Sequence, residues 1–348
     1  IENKTYGKDE AAMPKILITD TNFSQNGVSI QLEGRKNGLI QAAVASETVP
    51  NGLLYTVSGI DEDDVYTLTV NVTDMSGREQ QYTRQFHVNR NGSSYAFGNA
   101  LQTMNKTYVK AVGEDLYIVE TNVDALTANK VTYSRGGMIA ELKPETDYTV
   151  AVAENAYGWQ EYTYRISQKV FSEEGEYKVI LSSTDTAGNN SDNSSKEQAI
   201  SFVVDNTPPT QVITGVEDDG VYTQDSLGVT IEVYDNVAVN SVDITLNGVK
   251  TTYNEEQITK ENGKVYVNIP SDTKKQTLEV ACIDYAGNEA QHQTYSFTVS
   301  TNAFIAFKAR YLSKPGFWVA VGCVAVALAG AVTGTVVIRR RKKNVADN

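Results

Sequence analysis

Thr67-Leu68-Thr69-Val70-Asn71-Val72-Thr73-Asp74-Met75-Ser76-Gly77-Arg78 is the stretch that decides the fold. Leu68, Val70 and Val72 alternate with Thr67, Thr69, Asn71 and Thr73, and side chains two apart share one face of a strand. One apolar and one polar face is what a half-solvated antiparallel strand requires. In Asp74-Met75-Ser76-Gly77 the Asp bonds nearby backbone and the Gly supplies a positive φ, so the strand turns back as a hairpin. A second alternating run, Arg84, Phe86, Val88, follows.

The pattern recurs as Asp185-Thr186-Ala187-Gly188-Asn189 and as Asp284-Tyr285-Ala286-Gly287-Asn288, 111 and then 99 residues further on. Val179, Leu181 and Ser183 lead into the second copy, and Leu278, Val280 and Cys282 into the third. Ile200, Phe202, Val204 and Tyr295, Phe297, Val299 are the returning strands. Cys282 shares a register with Val72 and Ser183 and so reads as a small core residue. Intervals of this size repeat whole domains, not solenoid units. The returning strands exit through Val88-Asn89-Arg90, Val204-Asp205-Asn206 and Val299-Ser300-Thr301, and Thr207-Pro208-Pro209-Thr210 is a stiff extended joint. Domains over residues 14–90, 91–206 and 207–300 follow, with 1–13 as a leading linker. Shorter alternating runs, Lys15 to Thr19, Val28 to Leu32, Tyr117 to Glu120, Val229 to Val233 and Val242 to Leu246, lie between Gly, Asn and Asp clusters. The fold class is all-β, three tandem β-sandwiches.

Val204-Asp205-Asn206-Thr207-Pro208-Pro209, the Asp-x-Ala-Gly-Asn hairpins and Val233-Tyr234-Asp235-Asn236 resemble the bacterial immunoglobulin-like domains repeated in surface proteins of Gram-positive bacteria. The resemblance covers residues 14 to 300 and implies immunoglobulin-like sandwiches of the kind that serve as stalks, adhesin parts or accessory domains of enzymes. The first copy departs from it, with Ser76 and Arg78 in place of Ala and Asn and no Pro-Pro at its exit. Leu142-Lys143-Pro144-Glu145-Thr146-Asp147-Tyr148-Thr149-Val150 is similar to the tyrosine corner of fibronectin type III domains, which implies an enlarged middle domain or a convergent turn.

Beyond a juxtamembrane linker at 301–316, Phe317 to Ile338 carries no charged residue, and Arg339, Arg340, Arg341, Lys342 and Lys343 follow. A helix of that length is roughly 33 Å long at ~1.5 Å per residue, enough for a hydrocarbon core of ~30 Å. This is a single transmembrane helix over 317–338 with a stop signal. Basic residues stay inside, so the tail 339–348 is cytoplasmic and everything before it projects from the plasma membrane. Wall-attached Gram-positive proteins carry Leu-Pro-x-Thr-Gly ahead of such a run; Leu312-Ser313-Lys314-Pro315-Gly316 lacks it, so the anchor reads as retained in the lipid. Gly330-Ala331-Val332-Thr333-Gly334 has the Gly-x-x-x-Gly spacing of helix dimers, although Gly and Ala are frequent throughout the run. Ile1 without Met or export signal reads as the start of a C-terminal piece of a longer protein.

The tail holds five of the 30 basic residues and one of the 43 acidic residues, leaving 25 against 42, a net charge of −17 for residues 1–338. Such a surface repels nucleic acid and anionic lipid. Cys282 and Cys323 fall on opposite sides of the membrane boundary, so no intrachain disulfide forms, which favours a Gram-positive source over a disulfide-bonded eukaryotic ectodomain. Asn-x-Ser/Thr at Asn3, Asn22, Asn71, Asn91, Asn105, Asn189 and Asn193 fits either a glycosylated ectodomain or chance in an Asn-rich chain.

Asp61-Glu62-Asp63-Asp64 and Glu217-Asp218-Asp219 are dense acidic clusters. Oxygen ligands near a domain junction suit Ca²⁺, and Asp205, Asp219 and Asp235 are the candidate ligands, against the plainer reading of solvated acidic loops. No other cofactor is implied. His87 and His292 are the only histidines, too far apart in sequence for a triad or zinc site, and read as solvent-facing strand residues. Tyr157, Trp159, Tyr162 and Tyr164 form the densest aromatic segment. Trp159, Tyr162 and Tyr164 are candidates for contact with host protein or glycan, against packing in the core. Three functions remain open: a non-catalytic stalk displaying an N-terminal portion, an adhesin, and the spacer of an enzyme whose catalytic domain lies upstream.

Overall fold

The computed structural model describes residues 4–196 and 198–346, and these form two compact units that divide between Asn206 and Thr207. The first unit contains two hydrophobic cores and the second contains one. Each core lies between two sheets.

In the first sandwich a five-stranded sheet runs in the order Thr5–Tyr6, Glu79–Val88, Asp64–Asp74, Phe23–Gly34, Gly38–Ile40. Facing it is a three-stranded sheet, Lys15–Ile18, Gly52–Ser58, Ala43–Val49. The alternation read from Leu68, Val70 and Phe86 is the alternation of the core, joined by Val57 from the opposite sheet. Tyr66 stacks on Phe86 and Tyr6 meets the same ring edge-on, each with centroids 5.6 Å apart. Residues 4–13 are not a linker. Thr5–Tyr6 pairs in parallel with His87–Val88, and Tyr6 and Ala12 are buried, because the end of this core needs that cover.

The second sandwich repeats the plan. Tyr108–Val109, Ile200–Val204, Gly175–Asp185, Leu126–Arg135 and Met138–Glu141 form one sheet, with Asn190–Asp192 as the short hairpin arm on Gly175–Asp185. Tyr148–Glu154, Gln160–Ile166, Leu116–Asn122 and Ser94–Phe97 form the other. In the second unit Val221–Tyr222, Gln293–Val299, Gln276–Asp284, Val239–Leu246 and Val249–Asn254 face Thr210–Thr214, Ser226–Tyr234 and Lys264–Pro270. Cys282 is buried in that core, and the three hairpin glycines, Gly77, Gly188 and Gly287, have φ of 78°, 85° and 85°.

The tyrosine corner lies elsewhere than the Leu142–Val150 segment. Tyr148 buries its ring, but the hydroxyls that reach back four residues to a carbonyl belong to Tyr66, on Glu62 at 2.9 Å, and Tyr177, on Glu173 at 2.8 Å. Both stand two residues before the first alternating core residue of the hairpin strand. Gln276 holds that position in the third copy, and its amide donates to the Pro270 carbonyl at 3.0 Å.

The stretch expected as a juxtamembrane linker is helical. Asn302 caps Ala303–Phe307, accepting from the Phe304 and Ile305 N–H groups, and a π-helical turn Lys308–Leu312 follows. The last helix is Pro315–Ala346, of which Pro315–Arg339 is apolar enough to cross a membrane, with mean hydropathy 2.3 and no part buried. Arg339 of the expected stop signal is described. The side chains of Arg340, Arg341, Lys342 and Lys343, and Gly334 of the Gly330 pair, lie outside the described residues.

Candidate functional site

The polar residues that the sequence scatters across two domains converge at the joint between the first two sandwiches. The strand Glu79–Val88 delivers His87 and Asn89 to it, and the end of Leu116–Asn122 delivers Asn122 and Asp124. The hairpin after Gly175–Asp185 delivers Asp185, Asn189 and Ser191. Asn89 is fully buried, and its side-chain amide nitrogen donates to Asn122 Oδ1 at 2.8 Å, Asp185 Oδ2 at 2.9 Å and Asp124 Oδ2 at 3.0 Å. Its own carbonyl accepts from the Asn189 side chain at 2.9 Å, and its backbone N–H donates to the Tyr6 carbonyl.

Buried polar groups are retained only where they are hydrogen-bonded, and here nearly every one is. Asp124 also bonds His87 Nδ1 at 2.6 Å and accepts from Thr5 Oγ1 at 3.1 Å. Asp185 accepts the Asn189 N–H at 2.9 Å on its other oxygen. The chain crosses the joint at Gly92 with φ of 65°, and a Cβ there would stand 2.4 Å from Ser191 Oγ, so only glycine passes. Ser93 N–H donates to that hydroxyl at 3.0 Å. Behind it, buried Glu120 accepts from Ser183 Oγ and from Tyr164 Oη at 2.9 Å. Burial first, then the Glu120 carboxylate, pushes the Tyr164 hydroxyl far above its ordinary value, so it stays a donor.

A second tie flanks the first. Trp159 Nε1 donates to buried Asp64 Oδ1 at 3.3 Å, and Lys36 Nζ stands 4.5 Å above the indole ring. Asp64 also gathers the N–H groups of Lys36, Asn37 and Val65 at 2.8 to 2.9 Å. Asp63 takes those of Arg90 and Asn91 at 2.7 and 3.0 Å. Half of the acidic cluster at 61–64 is thus spent on backbone donors and is not a solvated loop.

Several sequence expectations move. Trp159 is engaged by the first sandwich; Tyr162 and Tyr164 are buried, Tyr162 accepting the Leu126 N–H at 2.9 Å, so neither tyrosine presents a binding face. His87 bonds Asp124 at the joint while its side chain stays 37% exposed, whereas His292 is exposed and 3.8 Å from Glu289. Of the calcium candidates, Asp219 is taken by Lys275 at 2.7 Å and Lys314 at 3.3 Å, and those two lysines hold its carboxyl below the usual range. Lys275 precedes strand Gln276–Asp284 and Asp284 ends it, roughly 30 Å away at ~3.3 Å per residue. Asp235 instead lies beside Asp284, with carboxylate oxygens within 4.8 Å, and its Oδ1 accepts from Val237 and Ala238. Asp205 ends the first unit, its N–H on the Val109 carbonyl at 2.9 Å. Asp235, Asp284 and Asn288 repeat the placement of Asp124, Asp185 and Asn189 relative to their strands, and Asn288 bonds Asp284 as Asn189 bonds Asp185. The aligned exits and hairpins carried the signal for Asn89, Asp185 and Asn189; Asp124 had none.

No protein-family model and no curated protein matches this chain. Similar solved structures include a tetra-tandem repeat from the extending region of a large adhesion protein, 15% identical over 85% of this chain and 74% of that one, with a TM-score of 0.32. The full Ig1–Ig3 ectodomain of mouse nectin-like molecule 4 is 13% identical over 86% and 98%, with a TM-score of 0.34. The D00-D0 domain of intimin is 14% identical over 58% and 95%, with a TM-score of 0.29. Likeness at this level carries no activity, ligand or partner across.

Proposed function

We propose that this chain is a non-catalytic, membrane-anchored stalk of a cell-surface protein, with its β-sandwiches outside and the tail after Arg339 in the cytoplasm. The observation that carries the reading is the buried joint around Asn89. Its carboxylates and amides are consumed in hydrogen bonds that fix one sandwich on the next, which is what a spacer must do and what an open catalytic cleft would not. The apolar run Pro315–Arg339 supports the anchor, and the basic residues after it support the orientation. Strong negative charge outside keeps such a surface soluble and apart from anionic lipid.

The test is made on cells producing the full chain. Protease added outside should remove epitopes placed in either unit and leave a tail epitope protected, and the protected fragment should resist carbonate extraction. Leu328→Arg, at ~2.5–3.5 kcal/mol for a cation near the helix centre, should release part of the chain from the membrane. Full-length chain in the soluble fraction, or a tail epitope cleaved from outside, would overturn the reading.

A further inference from the structure

Residues 1–338 carry a net charge of −17, so a concentration of cations on this chain runs against its background. One occurs in the second unit, where the third sandwich meets the stretch before the last helix. A hollow of about 600 Å³ there is lined by four lysines, Lys274, Lys275, Lys308 and Lys314, and by a single acid, Asp219. Asp219 is already shared by Lys275 and Lys314 at 2.7 and 3.3 Å. Lys274 and Lys308 form no ion pair among the described residues. Asp218 and Asp272 lie close in sequence but outside the lining, with Asp218 Oδ1 on the Ser296 N–H at 2.9 Å and Asp272 Oδ1 on those of Thr273 and Lys274 at 2.5 and 3.1 Å. Four lysines against one acid leave the lining a net charge of +3.

The same stretch carries apolar surface left open to solvent. Phe304, Phe307 and Tyr311 recur at the i, i+3, i+7 spacing of one helical face, and all three are exposed, as is Trp318 at the start of the last helix. The Phe307 and Tyr311 rings stand 5.1 Å apart, and Trp318 Nε1 reaches back to the Leu312 carbonyl at 2.9 Å, so the aromatics are held as a group. Exposed aromatic rings with long cationic side chains beside them are the composition of a membrane–water interface. Lys308 and Lys314 of the hollow belong to this stretch, and Pro315–Arg339 leaves it directly.

We infer that the hollow receives the phosphodiester headgroup of an anionic phospholipid in the outer leaflet, with Lys274 and Lys308 on its phosphate oxygens and Phe304, Phe307, Tyr311 and Trp318 in the interfacial layer beside it. The inference rests on the anchored reading above, since a chain held at the bilayer by Pro315–Arg339 presents the hollow to lipid. Repulsion between the acidic sandwiches and an anionic surface does not oppose it, because that repulsion is screened beyond ~8 Å at physiological salt, whereas lysine and headgroup meet at contact. The phosphate is that of a lipid and not of a soluble anion, because the hollow adjoins the start of the membrane helix and is flanked by aromatics that a soluble anion would leave in water.

The test places the full chain in liposomes of mixed phosphatidylcholine and phosphatidylglycerol. Each lipid is supplied in turn with a photoreactive group on its headgroup, and a phosphatidylcholine with the group on its acyl chain is the control; crosslinks are mapped to peptides by mass spectrometry. Headgroup label is expected on residues 273–275 and 305–314, heavier for phosphatidylglycerol by roughly tenfold or more, since one cation at an anionic surface is worth about fivefold. Lys274→Gln/Lys308→Gln should remove that preference there and leave the label on the basic tail unchanged, which a folding or insertion defect would not do. Excess inorganic phosphate should not compete. Label at 273–275 and 305–314 that is equal for the two headgroups, or indifferent to the double substitution, would overturn the inference while acyl-chain label on 317–338 kept the anchor standing. Competition by inorganic phosphate would overturn it as well, since the hollow would then take a soluble anion. Absence of acyl-chain label on 317–338 would overturn the anchored reading and the inference with it.

Discussion

Replacing Asn89 by Asp exchanges one buried nitrogen for oxygen at the centre of the joint. The Asn89 amide nitrogen stands 2.9 Å from Asp185 Oδ2 and 3.0 Å from Asp124 Oδ2. Two like charges at such a separation repel by about 5 kcal/mol per pair at an effective dielectric of ~20. Two pairs exceed the ~4 kcal/mol needed to keep a carboxyl of ordinary pKa ~3.9 protonated at pH 7, at ~1.4 kcal/mol per pH unit. The joint therefore takes up a proton, which restores a donor and caps the cost of Asn89→Asp at about 4 kcal/mol. The sign follows from linkage: the introduced carboxyl has a raised pKa in the folded state, so the variant matches the parent near pH 4 and falls behind as pH rises. For a unit of this size ~4 kcal/mol lowers the melting temperature by roughly 8–16 °C. Calorimetry of parent and variant at pH 4.5 and pH 7 should show a deficit that appears mainly at pH 7. Asn89→Ala, which loses charge-assisted bonds of ~1.5–3 kcal/mol each, should show a deficit at both. An equal deficit for Asn89→Asp at both pH values, or none at pH 7, would refute the placement of Asn89 between the carboxyl groups of Asp124 and Asp185.

Trp159→Ala should cost about 2 kcal/mol of the first unit's stability, and a double-mutant cycle with Lys36→Ala should give a coupling of ~0.5–1 kcal/mol; a coupling of zero would remove the cation–π tie. Burial pushes the Cys282 thiol up to about 12. In a Cys323→Ser background, iodoacetamide at pH 8 should therefore alkylate it on the order of 10³-fold more slowly in the folded protein than in denaturant, and fast native labelling would contradict its place in the core. The carboxyl of Asp219, held low by Lys275 and Lys314, should titrate by NMR below the ordinary aspartate range and move up in Lys275→Ala. The stability it lends is present above the unfolded pKa and lost as pH falls through the folded one. An unshifted titration would mean that the lysine contacts are not made in solution.

The period-two runs and Gly hairpins were enough to place the strands, because each sandwich repeats one apolar register: Leu68, Val179 and Leu278 are all core residues. Cys282 followed from the same register. The joint was only half legible. The exits at Asn89 and Asp205 aligned, but what Asn89 bonds is set by Asp124, a lone acid after a strand with no local pattern to mark it. For the aromatic segment at 157–164 the choice between core packing and partner contact needed the facing sheet, which periodicity does not name; Tyr162 and Tyr164 pack in the core. The helical stretch Ala303–Leu312 is too short for an apolar period to show.

That helical stretch has a mechanical consequence. A flexible tether of 16 residues would let its ends wander by roughly 20 to 25 Å. Instead Asn302 caps it, Arg310 Nη2 donates to the Val221 carbonyl at 3.3 Å, and Lys314 pairs with Asp219, all within the second unit. With so little slack, a sideways pull on the third sandwich becomes a torque on the helix Pro315–Ala346. In an anchored chain, drag at the surface would then be felt as tilt within the bilayer.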